Sequence, residues 1–281
     1  GGDCRSEPAD PTMHSYASHR TPELSVRTDP GMNPHALYRP RAALVAGLLA
    51  ILLSACAGSP SRYPVPALPV SKLEQLRADA LRALPPDETG EFLDTDLVEV
   101  VTLDPSLRLD VRYAGSDNFL RAPIYPEARV FLQRPAAEAV VRANRAVQAH
   151  GYGLLLFDGY RPWYVTWLFW EATPNEKRNF VANPATGSRH NRGCAIDLSL
   201  YDLETGLEVS MPSGYDEFSE RANPNYAGGT AEQRAARDLL RTAMEAEGFT
   251  VNDDEWWHYD CRDWQKYRIG NAYFKDLPRT H

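Results

Sequence analysis

The sequence lacks the features that define several protein classes. It has no apolar run of about 18 residues or more, so it predicts no membrane-spanning helix; the longest run, 42–53, has twelve residues. It has no basic cluster, and its 38 acidic side chains outnumber 30 basic ones, giving a net charge of −8. We therefore expect no nucleic-acid partner, because such a partner needs a positive surface. Cysteine is scarce, with four residues.

The short apolar run is instead typical of an export signal. Arg39 and Arg41 precede it, and Leu-Ser-Ala-Cys ending at Cys56 follows it. Its length fits the hydrophobic region of a signal peptide, and the tetrapeptide resembles the bacterial lipobox. We expect residues 32–55 to be a lipoprotein signal peptide and Cys56 to be lipidated. The alternative, a buried helix, lacks an amphipathic pattern.

This signal implies the organisation of the chain and its location. Residues 1–31 are expected to be a disordered leader or a misassigned start, since Gly, Pro, Ser and Asp dominate them. Residues 56–71, rich in Ser, Pro, Gly and Ala, are expected to form a flexible tether. Residues 72–281 then form one domain. The protein would be exported, face the periplasm, and be held at the inner or outer membrane by its lipid alone.

The pattern of apolar residues within the domain predicts an α+β fold. Helices and short strands are interleaved without the regular alternation of a parallel sheet. Helices are predicted at 72–84, 134–150, 162–172 and 230–247. Strands are predicted at 97–103, 107–113, 152–157, 195–200, 249–251 and 256–260.

Two short segments, 188–197 and 255–258, together predict a catalytic zinc site. Such a site takes three protein ligands and keeps a fourth position open. His190, Asp197 and His258 supply two imidazoles and a carboxylate. Asp197 lies in an apolar strand, where a charge is costly unless it is paired or binds metal; a salt bridge to an arginine is the alternative. The pattern indicates metal-assisted hydrolysis.

Three other residues near these segments have candidate roles. Glu255 is a spare carboxylate beside the last ligand, suited to act as a general base. Gly193 would let the chain turn so that His190 and Asp197 face one centre. Arg161, held by the Asp-Gly-Tyr-Arg-Pro turn, could stabilise an oxyanion. The alternative for Arg161 is a structural ion pair with a carboxylate.

Cys194 and Cys261 form a candidate disulfide. If Cys56 carries lipid, these two cysteines remain as a pair in an exported, oxidising compartment. Each lies within four residues of a candidate ligand, so convergence on the metal would bring the thiols together. Two free buried thiols are the alternative.

Four segments resemble the VanX-type D-alanyl-D-alanine dipeptidases, zinc peptidases of the M15 group. They read GYGLLLFDGYRP, SRHNRGCAIDLSLYDLETG, MPSGYDEF and EWWHY, and the resemblance spans about 97–278. It implies a compact α+β fold of the hedgehog and D,D-peptidase type, with a central antiparallel sheet that carries the zinc and is flanked by helices. It also implies hydrolysis of free D-Ala-D-Ala in cell-wall peptide metabolism.

The resemblance assigns roles to individual residues. One zinc ion per chain would be held by His190, Asp197 and His258. Glu255 would be the general base and then the acid for the leaving amine, and Arg161 would stabilise the transition state. The residues expected to bind the free amino group of the substrate are Ser188, Asp216 and Tyr113.

Other functions remain as alternatives. The nearest is an M15 D,D-carboxypeptidase or endopeptidase that acts on longer peptidoglycan stem peptides. A non-catalytic zinc-binding lipoprotein would not need Glu255 or Arg161. A cysteine hydrolase based on Cys194 would lack a free histidine, since His190 and His258 would both bind metal. The sequence predicts nothing about the oligomeric state.

Overall fold

The computed structural model describes Tyr63 and residues 65–278. The predicted leader, the signal peptide, the lipidation site Cys56 and most of the tether lie outside the described residues. Within the described part, no helix is long and apolar enough to cross a bilayer. Helices are α1 (Val70–Ala80), α2 (Arg134–Gln148), α3 (Trp163–Ala172) and α4 (Ala231–Ala246). Strands are β1 (Leu97–Glu99), β2 (Arg108–Leu109), β3 (Phe131–Gln133), β4 (Tyr152–Asp158), β5 (Ala195–Asp202), β6 (Phe249–Val251) and β7 (His258–Cys261).

The central sheet has five strands in the order β2-β4-β5-β7-β6, which confirms the α+β class. Its pairs are antiparallel except for β2 and β4, which are parallel. The expected central antiparallel sheet is thus found, with one parallel pair added at its edge. The chain between β2 and β4 contains α2, and such a helical crossover returns the chain in the same direction. A separate antiparallel pair joins β1 and β3.

Helices α2 and α4 pack against each other, with α2 also on β4 and α4 on β6. Thr230 begins α4 with a capping box, in which its hydroxyl accepts from Gln233 N–H while the Gln233 side chain accepts from Thr230 N–H. Gly248, at φ +88°, follows the end of α4. Such glycines adopt left-handed conformations without the cost a side chain would add. Both long helices, α2 and α4, begin and end within two residues of the positions predicted from the sequence.

The short elements differ more from the prediction. The predicted strand 97–103 pairs only over Leu97–Glu99 and then turns as a 3-10 helix. The strand predicted at 107–113 is only two residues long. The chain then turns as a 3-10 helix, and Val111, Arg112 and Tyr113 are all buried at this turn. Helix α1 ends at Ala80, four residues early, and its predicted last residue, Leu84, is exposed. Strand β3 was not predicted; three residues carry too little pattern.

Register between β5 and β7 sets up both faces of the sheet. Asp197 lies opposite His258, and Cys261 N donates to Cys194 O at 2.8 Å, so the two cysteines are opposite each other as well. Side chains three residues apart on a strand point to opposite faces. The predicted ligands therefore lie on one face and the cysteines on the face covered by α2 and α4.

Asn144 links α2 to the start of β4. Its side chain is fully buried; Oδ1 accepts from Leu154 N at 2.9 Å and Nδ2 donates to Asp104 and Ser106. Asn144→Ala should lower the free energy of unfolding by about 1–3 kcal/mol, because it leaves the buried Leu154 N–H unpaired. Chemical denaturation measures this. Glu138→Ala, an exposed change on the same helix, should stay within about 0.5 kcal/mol of the parent; equal losses in both variants would contradict the role of Asn144.

Candidate active site

Three predicted ligands meet around one point. His190 Nε2 lies 3.1 Å from His258 Nδ1 and 3.3 Å from Asp197 Oδ1, and His258 Nδ1 lies 3.1 Å from Asp197 Oδ1. Ligand atoms at the corners of a zinc-sized tetrahedron stand about 3.3 Å apart. The three side chains are buried and form a group able to hold a metal ion, and no other such group occurs among the described residues.

Outer hydrogen bonds fix which ring nitrogens face this point. His190 Nδ1 lies 2.7 Å from Gly159 O, and a carbonyl can only accept, so Nδ1 carries the proton. His258 Nε2 donates in the same way to Asp260 Oδ1 at 2.9 Å. With a metal bound, the other nitrogen of each ring would present its lone pair to the ion. Two imidazole nitrogens and a carboxylate oxygen within 3.3 Å of one another need one positive centre between them, a proton or a metal ion.

Asp197 shows the same need for a cation. Its Oδ2 accepts from Tyr215 OH at 2.9 Å, whereas the buried Oδ1 makes no hydrogen bond. Burial alone would raise the pKa of Asp197, but His190 and His258 outweigh burial and lower it, so the group is a carboxylate. Two imidazole nitrogens and one carboxylate oxygen fit a catalytic divalent metal with an open position. These residues therefore suit the metal that the sequence predicts.

A tight turn brings His190 to Asp197. Residues 190–192 form a 3-10 turn that ends at Gly193, at φ +67°, as the sequence predicted. A Cβ on Gly193 would lie 2.5 Å from Leu97 Cδ2. Asn191, fully buried, accepts from Ser188 N and donates to Arg161 O and Thr166. The ligand turn and the Asp-Gly-Tyr-Arg-Pro turn are thus fastened together.

Glu255 stands beside the triad without joining it. Its Oε2 lies 3.7 Å from His258 Nδ1, and its side chain is 17% exposed. Burial, reinforced by the charge of Asp197 and opposed by His258, raises the pKa of Glu255 to about 8. A carboxylate whose pKa lies near neutrality can both accept and return a proton. The geometry is that of a general base next to a metal.

Arg161 forms an ion pair with Asp158, which was the alternative role considered for it, and it also faces the cavity. Its Nε and Nη2 donate to Asp158 Oδ2 at 2.9 and 2.7 Å, and Nη2 also forms a longer ion pair with Asp197 Oδ2 at 3.6 Å, the arginine partner considered as the alternative for Asp197. The guanidinium lies over the rings of Tyr113 and Phe169. Tyr125 OH fixes the other oxygen of Asp158 at 2.8 Å. Arg161 is therefore rigidly aimed along the cavity wall.

Asp216 forms a second buried acidic centre. Its Oδ1 accepts from Tyr113 OH at 3.0 Å and its Oδ2 from Phe119 N at 3.2 Å. Burial, with the charge of Asp197, raises the pKa of Asp216 to about 7. Ser188, whose Oγ accepts from His190 N, lies in the same cavity. A carboxylate with a neighbouring hydroxyl suits a protonated amine.

A cavity of about 210 Å³ contains all of these groups. Its size suits a small ligand, below the range of drug-sized sites. Rings of Phe180 and Phe218, which stack at 4.9 Å, form part of the wall. The eight predicted metal, catalytic and substrate residues that line it are Tyr113, Arg161, Ser188, His190, Asp197, Asp216, Glu255 and His258.

The predicted disulfide is not formed: Cys194 and Cys261 are free thiols in the structure. They nevertheless lie opposite each other, because Cys261 N donates to Cys194 O just before the start of β5, and the two thiols are close enough to influence each other's pKa. Convergence of the two segments was thus predicted correctly, and the structure shows the reduced pair.

Sequence reasoning missed the residues that orient the site. These are Asp158 behind Arg161, Tyr215 on Asp197, and Asp260 on His258. The signal for Asp260 was its position two residues after His258 on one strand, which places both on the same face. Asp158 and Tyr215 lay within the quoted segments but carried no spacing rule of their own.

Metal content tests the triad. Asp197→Asn should reduce bound divalent metal from about one ion per chain to a small fraction, because a three-ligand site loses its only anionic ligand. Asp260→Ala should keep the site but weaken metal affinity by about 10- to 100-fold, since it frees the His258 ring. Elemental analysis after dialysis and competition with a chelator measure both. Full metal content in Asp197→Asn would disprove the assignment.

Comparison with known proteins supports this geometry. The family model described as D-ala-D-ala dipeptidase, Peptidase_M15, matches residues 93–276. The D-alanyl-D-alanine dipeptidase of Escherichia coli K12 is 34% identical over 175 residues, which is 62% of this chain and 89% of that protein. That of Enterococcus faecium is 37% identical over 190 residues, covering 61% and 92%. That of Streptomyces coelicolor is 32% identical over 193 residues, covering 62% and 93%.

The match begins four residues before β1 and ends two residues before the last described one. It therefore includes the whole central sheet and every residue that lines the metal-binding cavity. This confirms the resemblance on which the assigned roles depend. The chain belongs to the Peptidase_M15 family of D-ala-D-ala dipeptidases.

Proposed function

We propose that this protein hydrolyses the free dipeptide D-alanyl-D-alanine with one zinc ion, in cell-wall peptide metabolism. One observation carries the proposal: a small cavity holds a three-ligand metal site, a general base and a buried acidic centre suited to an amine. The relatives described above are each named as a D-alanyl-D-alanine dipeptidase.

Zinc suits the donor set. Two imidazoles and one carboxylate with an open position are characteristic of catalytic zinc in peptidases. When bound, the ion would supply a Lewis acid and make water acidic enough to attack near neutral pH. His190, Asp197 and His258 would hold it, with Gly159 O, Tyr215 and Asp260 fixing their orientation.

The protein's own groups would carry the proton and the developing charge. Glu255 would take the proton of the attacking water and pass it to the leaving amine; the charge of a bound metal would lower its raised pKa and favour the ionised form that acts as the base. Arg161, held by Asp158, would stabilise negative charge on the oxygen of the scissile carbonyl. Because Arg161 is fixed before substrate arrives, no reorientation is needed.

The amine end would decide which substrates fit. Asp216 is 4% exposed, and its ionised form would pair with the substrate ammonium, aided by Ser188 and oriented by Tyr113. An acylated amine would leave this carboxylate buried and unpaired, which is costly. The cavity thus favours a free dipeptide over the longer stem peptides of a D,D-carboxypeptidase or endopeptidase. Glu255, poised beside the ligands, argues against a non-catalytic binding protein.

Turnover of Glu255→Gln tests the mechanism. We expect kcat for D-Ala-D-Ala to fall by about 10² to 10⁴, because the base is lost, while metal content stays at the parent level. Asp253→Asn, an exposed carboxylate two residues earlier, is the control and should keep parent activity. Retained turnover in Glu255→Gln with full metal would reject the mechanism, and no turnover in the parent would reject the function.

Amine recognition predicts a pH dependence of KM. Asp216 has its pKa raised to about 7, so it is ionised above that pH and takes up a proton as the pH falls through it. The dipeptide ammonium, whose pKa is about 8, stays largely charged at and below pH 7, and KM should rise about fivefold from pH 7 to pH 6. Steady-state kinetics measure this. Asp216→Asn should show a high KM that no longer changes over this interval.

An N-acetylated dipeptide gives a second test of the same site. Its kcat/KM should lie at least about 10³ below that of D-Ala-D-Ala, because the buried Asp216 would lose its partner. Comparable rates for the two substrates would instead support the peptidase on longer stem peptides.

The envelope location rests on the sequence of the first 56 residues. We propose that residues 32–55 direct export, that Cys56 is lipidated, and that 72–281 is the catalytic domain on a short tether. An enzyme there would meet dipeptide released from peptidoglycan, which favours recycling. Cys56→Ser should move the protein from the membrane to the soluble fraction of cells, and fractionation measures this. Unchanged membrane association would refute the anchor.

A further inference from the structure

A second cleft lies on the other face of the sheet. This rear cleft has a volume of about 510 Å³ and is formed by the start of α2, the end of α4 and the strand ends β5 and β7. It shares no lining residue with the metal-binding cavity. The lining residues that matter chemically are Cys194, Cys261, Arg142, Arg262, Lys266 and Tyr267.

Its two thiols are placed to react with each other. They are opposite residues across the antiparallel pair, joined by the Cys261 N to Cys194 O bond, and the Cα atoms of opposite residues in such a pair stand about 4.5–5.5 Å apart. That separation lies within the range a disulfide spans. Opposite side chains of such a pair extend to the same face of the sheet, so the two thiols face each other. A disulfide can therefore form here without moving the strands.

The thiols differ in access. Cys194 is fully buried, whereas Cys261 is partly exposed in the cleft. An external reagent can reach Cys261 but not Cys194. A partly exposed thiol backed by a buried one is the arrangement in which the first attacks and the second resolves.

Charge around the cleft favours an anionic reagent. Arg142 is paired with Glu247 at 2.6 Å and Lys266 with Asp263 at 3.0 Å. Arg262, next to Cys261 in sequence and exposed, has no carboxylate partner within the described residues. The cleft therefore has one unneutralised guanidinium beside its reactive thiol.

We propose that Cys261 and Cys194 form a thiol–disulfide exchange site that accepts carboxylate-bearing disulfides. The Cys261 thiolate attacks one sulfur of the reagent, forming a mixed disulfide and releasing the first half of the reagent as a thiol. Cys194 then attacks Cys261 Sγ and passes its proton to the departing sulfur, so the second half leaves as a thiol. The two cysteine thiols are oxidised to one disulfide and the reagent disulfide is reduced to two thiols, so electrons balance.

The product disulfide would join the two strands that carry the metal ligands. Cys194 lies three residues before Asp197 and Cys261 three residues after His258, on strands that pair in register. Cross-linking them would hold these ligands at their separation from the far side of the sheet. Oxidation would thus stabilise the site without touching substrate.

Mass spectrometry of the metal-loaded full-length protein tests the order of steps. After glutathione disulfide is added, peptide mapping of the parent should yield one linked pair containing Cys194 and Cys261. Cys194→Ser should stop at a stable glutathione adduct on Cys261, while Cys261→Ser should leave Cys194 unmodified. An adduct on Cys194 in Cys261→Ser, or a parent with no linked pair, would overturn the proposal.

Charge preference and stability give two further readouts. Glutathione disulfide, which is anionic, should react faster than cystamine, which is cationic, and Arg262→Gln should lower that ratio by about two- to fivefold. A ratio unaffected by Arg262→Gln would refute the anionic specificity. The linked parent should gain roughly 5–15 °C in Tm, and Cys194→Ser treated alike should gain none; an unchanged Tm in the linked parent would overturn the bracing role.

Discussion

Charge balance around the metal-binding cavity is the constraint on which the rest of the site depends. Three of its carboxylates are almost wholly buried, and the guanidinium of Arg161 is already hydrogen-bonded to Asp158 and only 3.6 Å from Asp197. Such a cluster is unfavourable unless cations compensate it. A divalent ion held by His190, Asp197 and His258 would supply positive charge there and complete the site. In all, five carboxylates line the cavity or contact the residues that line it: Asp158, Asp197, Asp216, Glu255 and Asp260.

Two backbone features assemble this cluster from distant parts of the chain. The register of β5 and β7 sets Asp197 opposite His258, and the turn closed by Gly193 returns His190 to the same point. Asn191 then fastens that turn to the one that presents Arg161. Hydrogen bonds and strand pairing thus bring these donor atoms to one point, and such preorganisation reduces the conformational cost of binding an ion.

The sequence predicted the ligands more reliably than their supports, for a physical reason. Zinc chemistry restricts ligands to a few residue types, so His190 and His258 could be found among seven histidines. Asp260 and Tyr215 act through single hydrogen bonds that many residues could make, and only the folded positions reveal them. Likewise α2 and α4 had long periodic patterns, whereas β3 is three residues long and exists through its pairing with β1. The parallel β2–β4 edge depends on a crossover that local pattern does not encode.

The alternation of side-chain direction along β5 and β7 also restricts which deletions and insertions this protein can tolerate. Catalytic groups and thiols occupy opposite faces of the same two strands, so removing one residue within either strand would exchange them. A single-codon deletion there would turn a thiol or an aliphatic side chain toward the dipeptide and Asp197 toward the helices. Insertions and deletions within these strands must therefore involve two residues at a time, whereas the surrounding loops can lengthen by one residue.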